Sequence, residues 1–111
     1  MFKIEGTTIT ITKGDTLKAL LHLHTGDGEE YIPTSGDVIR FALKSDYSDP
    51  DPLLYKVIDN RTMELRLESS ETKQLTARNE PYVYDMQITI PNGDVITFIE
   101  RALFYVTEEV D

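Results

Sequence analysis

The residues of this chain best suited to chemistry are two histidines, a group of aspartates, a serine–lysine pair and two tyrosines. His22 and His24 are two apart in a period-two stretch, so they point to one face of a strand, and a His-x-His pair on a strand is half of a zinc site. Zinc needs a third nitrogen or carboxylate in a concave site, and the sequence has only these two histidines. The pair therefore reads as a solvated sheet face or a partner contact. Asp46, Asp49 and Asp51 are hard oxygen donors of the kind calcium takes. The loop lacks the alternating Asp-x-Asp-x-Asp-Gly pattern and its bidentate glutamate, and Pro50 and Pro52 stiffen it, so it reads as a solvated turn. Ser70-Glu71-Thr72-Lys73 matches the Ser-x-x-Lys pattern of penicillin-recognising enzymes, but the companion motifs are absent and the chain is too short for that fold. Asn60-Arg61-Thr62 is formally a glycosylation sequon; without a secretory signal it marks only an exposed turn. There is no Gly-x-Ser-x-Gly, no phosphate-binding glycine loop and no Cys–His pair. The expectation is a non-enzyme, with no catalytic, cofactor-binding or metal-binding residues.

Tyr82 and Tyr84 stand apart. They follow the connection from Leu75 to Pro81 and open an apolar run, where the tyrosine corner of an immunoglobulin-like sandwich ties down the crossover backbone with a hydroxyl. That structural role is expected of the pair, with a surface contact as the other reading for one of them.

The elements that position these residues are strands. Thr8 to Thr12 is β-branched and strictly alternating. Gly14-Asp15 breaks it, and Leu17, Ala19, Leu21 and Leu23 then line one face of a second run. Val38 to Lys44 is a third, with Ile39, Phe41 and Leu43 inward. Ser45 to Pro52 is too rich in Pro and Asp for a ladder. Leu53 to Ile58 and Thr62 to Leu67 are two more strands. Ser69 to Ala77 is the one helix-like segment, a turn or two, with Ser70 as its cap. Tyr82, Tyr84, Met86, Ile88 and Ile90 form the best apolar face. Pro91-Asn92-Gly93-Asp94 is a hairpin turn, and Val95 to Val106 is the longest strand, its alternation slipping at Ile99-Glu100-Arg101 as at a β-bulge. About seven strands at this spacing predict an all-β, immunoglobulin-like antiparallel sandwich occupying residues 1–111 as one domain; a small barrel is the alternative. Leu21, Phe41, Leu65, Tyr84, Met86, Ile88 and Phe98 are expected to share one core.

Composition narrows the partners. The 111 residues suit one domain. The lack of cysteine removes disulfides and thiol chemistry and favours folding in a reducing compartment. No stretch approaches the ~18 uninterrupted apolar residues of a membrane span, and the N-terminus lacks the apolar run and cleavage site of a signal peptide. A net charge of −9 repels phosphate backbones, so nucleic acid is not expected as a partner; with no apolar span, neither is a membrane.

A resemblance gives the partner reading more substance. Gly14-Asp15-Thr16, Gly36 to Lys44, Thr72 with Leu75, Tyr82-Val83-Tyr84-Asp85-Met86-Gln87-Ile88, Gly93 to Phe98 and Phe104 to Thr107 follow in an order similar to the immunoglobulin-like N-terminal domain of phage upper baseplate proteins and small prophage tail-module relatives. The resemblance covers most of the chain, and Tyr-x-Tyr-Asp is its most distinctive part. It implies a non-enzymatic structural or adaptor protein that docks on other phage tail or baseplate proteins, made in the bacterial cytoplasm and then carried in the virion tail. The chain departs from those baseplate proteins in length, stopping where they continue into a fibre or receptor-binding region, so the resemblance does not extend to host recognition and leaves an adaptor or assembly role open. The other function considered is a generic bacterial immunoglobulin-like binding module for a protein or carbohydrate ligand.

The last strand suggests where contact occurs. Ile96, Phe98 and Phe104 lie on one phase, and Val95, Ile99, Leu103 and Tyr105 on the other. A strand apolar on both faces needs cover on both. Leu103 and Tyr105 are accordingly the expected protein-interface anchors, against a copy of the chain or a tail protein.

Overall fold

A run such as Thr8-Ile9-Thr10-Ile11-Thr12, branched at every Cβ, has few rotamers compatible with a helix and packs well on a pleated surface. A computed structural model of the protein describes residues 2–24 and 27–108, and there this run is a strand with Ile9 and Ile11 buried. Residues 1, 25–26 and 109–111 lie outside the described residues. In chain order the described strands are β1 (Phe2–Glu5), β2 (Thr8–Thr12), β3 (Leu17–Leu20), β4 (Leu23–His24), β5 (Glu30–Tyr31), β6 (Val38–Lys44), β7 (Leu54–Ile58), β8 (Glu64–Leu67), β9 (Tyr82–Thr89) and β10 (Val95–Thr107), with α1 (Ser69–Thr72) between β8 and β9. The all-β expectation holds, in the form of a curled mixed sheet.

The main sheet has the order β1-β2-β10-β9-β6-β7, and β3-β8 and β4-β5 form two-stranded ribbons. Two features depart from the antiparallel seven-strand expectation. β10 runs parallel to β2, with Phe104 opposite Ile9 and Val106 opposite Ile11. In addition, the chain makes more and shorter strands than the alternation alone suggested. Gly6, at φ 61°, turns β1 back onto β2 with Glu5 opposite Thr8, the positive φ that a two-residue hairpin loop requires. The run from Leu17 to Leu23 is cut in two because its partner ends. β3 pairs with β8 as far as Leu20 opposite Glu64, and Leu21 N–H reaches Met63 C=O. Met63 then adopts φ 56° and leads the chain away. β4 finds a new partner in β5. The common face survives the break: Leu17 and Leu23 are buried, and Ala19 and Leu21 pack partly against the same core.

That core joins the ribbon to the sheet. Leu17, Leu65 and Leu67 are fully buried in one cluster with Ile39, Phe41, Met86 and Phe104. Tyr84 sits among them, its ring tilted 5.3 Å from Phe41 and edge-on to Phe104 at 6.3 Å, arrangements that suit the ring quadrupoles. Of the expected core residues, Phe41, Leu65, Tyr84, Met86 and Ile88 are buried; Leu21 and Phe98 are partly so.

The bulge lies where the alternation slips. The β10–β9 register shifts between Thr97 and Ile99 and again between Ile99 and Ala102. Arg101 has φ 54°, and its N–H donates to Asp85 Oδ1 at 3.0 Å. These shifts undo the simple two-phase reading: Phe98 and Ile99, adjacent in sequence, both pack against the core, while Val95 and Ile96 are both exposed. At Pro91-Asn92-Gly93 the hairpin forms as expected, with Gly93 at φ 94° and its N–H on Ile90 C=O. The helix is shorter than Ser69 to Ala77, and its cap is Glu68, not Ser70. Glu68 and Glu71 form a reciprocal capping box. Burial works to raise the Glu71 carboxyl, but the Glu68 N–H and the Lys56 ammonium 2.9 Å away outweigh it and hold it below its ordinary range.

Candidate functional site

The two ends of the core are finished differently. At one end the chain crosses from α1 to β9, and polar side chains tie the crossing down. The Tyr82 hydroxyl accepts the Thr76 N–H at 2.9 Å and donates to the Thr76 carbonyl at 3.3 Å. Arg78 lies 3.9 Å over the Tyr82 ring. Its guanidinium donates to the Ser45 hydroxyl, the Ser45 carbonyl and the Glu80 carbonyl, and its backbone N–H reaches Val106 C=O. Tyr84, two residues on, does something else. Its hydroxyl donates to the Thr7 carbonyl, joining β9 to the β1–β2 turn, and burial pushes that hydroxyl up to about 12.

At the other end the core is open. A cavity of about 800 Å³ lies between the β1–β2 turn and the segment Ala19 to His24. Ile9, Leu65, Met86 and Ile88 are among the apolar residues lining it. At its mouth Ile4, Leu20 and Ile96 are 41%, 67% and 49% exposed. Two tyrosine hydroxyls face this region, and both are engaged: Tyr84 with the Thr7 carbonyl, and Tyr31 with Asp37 Oδ2 at 2.7 Å. The Asp37 hydrogen bond, then burial and the Asp37 charge, hold the Tyr31 hydroxyl above its usual range. Such a lining is suited to removing apolar groups from water.

His22 and His24 lie on this rim, both exposed, with His24 opposite Glu30 in the β4–β5 register. Among the described residues no group of three or more His, Cys, Asp and Glu side chains is disposed to hold a metal. The Asp46 and Asp49 carboxylates are used within their own turn, on the N–H groups of Tyr47 and Asp46 and the Ser48 hydroxyl. Ser70 and Lys73 are exposed on α1 and its cap.

Leu103 and Tyr105 alternate with buried Ala102, Phe104 and Val106, so they stand on the outer face of the main sheet, half-buried. β10 is an interior strand, paired with β2 on one side and β9 on the other. A partner at Leu103 and Tyr105 therefore meets the sheet's face, not an open edge.

Sequence reasoning passed over Arg78 and Asp37. An arginine next to a predicted tyrosine corner was a usable signal, because guanidinium groups stack on aromatic faces. Asp37 is 3% exposed and accepts the Thr34 N–H as well as the Tyr31 hydroxyl. The turn spacing Thr34-Ser35-Gly36-Asp37 hints at the first bond, but nothing local announces the second. No family model, curated protein or solved structure matches the chain.

Proposed function

We propose that the chain is an immunoglobulin-like sandwich serving as a non-enzymatic adaptor of a phage or prophage tail or baseplate, acting through protein–protein contacts. The observation that carries the binding part is the apolar cleft with Ile4, Leu20 and Ile96 exposed at its mouth, since apolar surface gathered at a concavity is a favourable place for a partner to bury its own. The sandwich reading is supported by the β3–β8 ribbon sharing a core with the main sheet and by the Tyr82 hydroxyl on the crossover backbone, the geometry of a tyrosine corner. The tail assignment rests on the sequence resemblance, from Gly14-Asp15-Thr16 through Tyr-x-Tyr-Asp to Phe104-Tyr105-Val106-Thr107. In this reading the protein is made in the bacterial cytoplasm and ends in the virion tail, and Leu103 and Tyr105 offer a second contact on the outer sheet face.

Tail or baseplate genes flanking this one, and co-elution of the protein with at least one of their products, are the expected results. A locus without tail genes, or tail proteins that all elute separately, overturns the assignment. The generic binding module is the second reading, and exposed Tyr47 and Tyr55 favour its carbohydrate form. Retention on a glycan array that is lost in Tyr55→Ala would select it.

A further inference from the structure

Successive side chains of a strand point to opposite faces, so a cavity beneath a strand should touch every second residue. This one is lined by Ala19, Leu20, Leu21, His22, Leu23 and His24, six in succession. It therefore runs along the edge of the chain, where backbone is accessible. The ladder shows which backbone groups those are. Leu21 N–H bonds to Met63 C=O on the β8 side, and Leu17 and Ala19 share its phase, opposite Leu67 and Leu65. In an antiparallel pair the N–H and C=O of alternate residues point to opposite sides, so Lys18, Leu20 and His22 direct theirs away from β8. Among the described residues β3 pairs with β8 alone. β1, the nearest strand in sequence that lines the cleft's other wall, is folded onto β2 by the Gly6 turn.

A purely aliphatic ligand would fill the apolar volume and leave those edge groups without partners. An extended polypeptide answers both. We propose that the cleft is an acceptor for an extended segment of a partner protein, paired as an added strand to the free edge of Lys18 to His22, with alternate apolar side chains lowered towards Ile9, Leu65 and Met86. This deepens the protein-binding reading above and rests on it. A paired length of the five residues from Lys18 to His22 spans roughly 17 Å at about 3.3 Å per residue, and main-chain bonds with pockets for alternate side chains are the general pattern of strand addition. The net charge of −9 disfavours a second copy and favours a segment whose outward residues are neutral or basic.

The experiment pans a displayed random-peptide library against the purified protein, then measures the selected synthetic peptides by hydrogen exchange and titration. Peptides with alternating apolar residues are expected, and their binding should slow exchange at Lys18, Leu20 and His22 while leaving Ala19 and Leu21 unchanged. Leu20→Pro, which removes one edge N–H at an exposed position, should weaken them by about tenfold or more, with Leu20→Thr, which keeps the N–H, close to wild type. Native circular dichroism of both variants is the control for folding. The proposal fails if Leu20→Pro binds as well as wild type, if protection appears elsewhere, or if no alternating peptide is selected. Peptides lost instead in Leu103→Glu would refute the cleft while leaving the protein-binding reading intact; failure of co-elution with tail proteins refutes the tail assignment without touching the cleft.

Discussion

The crossover end and the cleft end of this molecule are built from the same alternating strands, yet one is sealed and the other is open. β9 serves both. Tyr82 faces the crossover, where its hydroxyl and the Arg78 guanidinium occupy the backbone groups of Thr76, Ser45 and Glu80. Tyr84, Met86 and Ile88 run on towards the cavity, where apolar side chains meet space. The contrast follows from where polar partners lie. At the crossover, loops pass over the sheet end and bring carbonyls within reach of two long side chains. At the cleft, the Gly6 turn folds β1 onto β2, and the β3–β8 ladder stops at Met63. Sealing costs the freedom of ordered side chains; the open end avoids that cost and leaves Ile4, Leu20 and Ile96 exposed.

The largest expected effect lies between the two ends. Phe41 is fully buried against Tyr84, so Phe41→Ala should cost about 3–5 kcal/mol in urea unfolding, the range for an emptied aromatic site. A cost under about 1 kcal/mol would mean that the cavity already extends beneath it and that the two ends are not separate.

At the sealed end, Tyr82→Phe strands the Thr76 N–H and carbonyl in a part-buried site, and a loss of about 1–3 kcal/mol is expected. If it is neutral, water replaces the hydroxyl and the crossover is less closed than its geometry implies. Alkali tests the Tyr84–Thr7 tie between them. The Tyr84 hydroxyl is raised to about 12 in the folded state, so its contribution is complete below the unfolded value near 10 and is lost as pH rises from there through about 12. At about 1.4 kcal/mol per unit, thermal unfolding scans should show a fall of roughly 1–3 kcal/mol across that window from Tyr84, and a smaller fall in Tyr84→Phe, where the raised Tyr31 hydroxyl still contributes. The smallest effect belongs to the open end: Leu20→Thr, at a side chain 67% exposed, should change stability by no more than about 0.5 kcal/mol. A larger loss would show that the mouth of the cleft is part of the core.

Much of this was legible along the chain. The strands at Thr8–Thr12, Val38–Lys44 and Tyr82–Thr89 follow from period-two patterns of branched and aromatic residues, which act through local sterics and burial of one face. The Asn92-Gly93 turn and the slip at Ile99 to Arg101 were likewise visible, since each is a local break in a local pattern. Long-range pairing was less so. Nothing near Leu21 announces that its ladder partner ends at Met63, and nothing in Val95 to Thr107 tells which of its edges is occupied.

What the sequence by itself determined is the all-β character, the inward faces and the turn sites, because backbone preference and hydrophobic alternation are set by neighbours a few residues apart. Tertiary structure alone decided that β10 lies inside the sheet, parallel to β2, that the Tyr84 hydroxyl reaches Thr7 while Tyr82 holds the crossover, and that the segment from Ala19 to His22 borders an apolar cleft. These depend on which distant segments meet, and a strand's two edges present the same N–H and C=O groups whatever its sequence, so only the fold says which edge is taken.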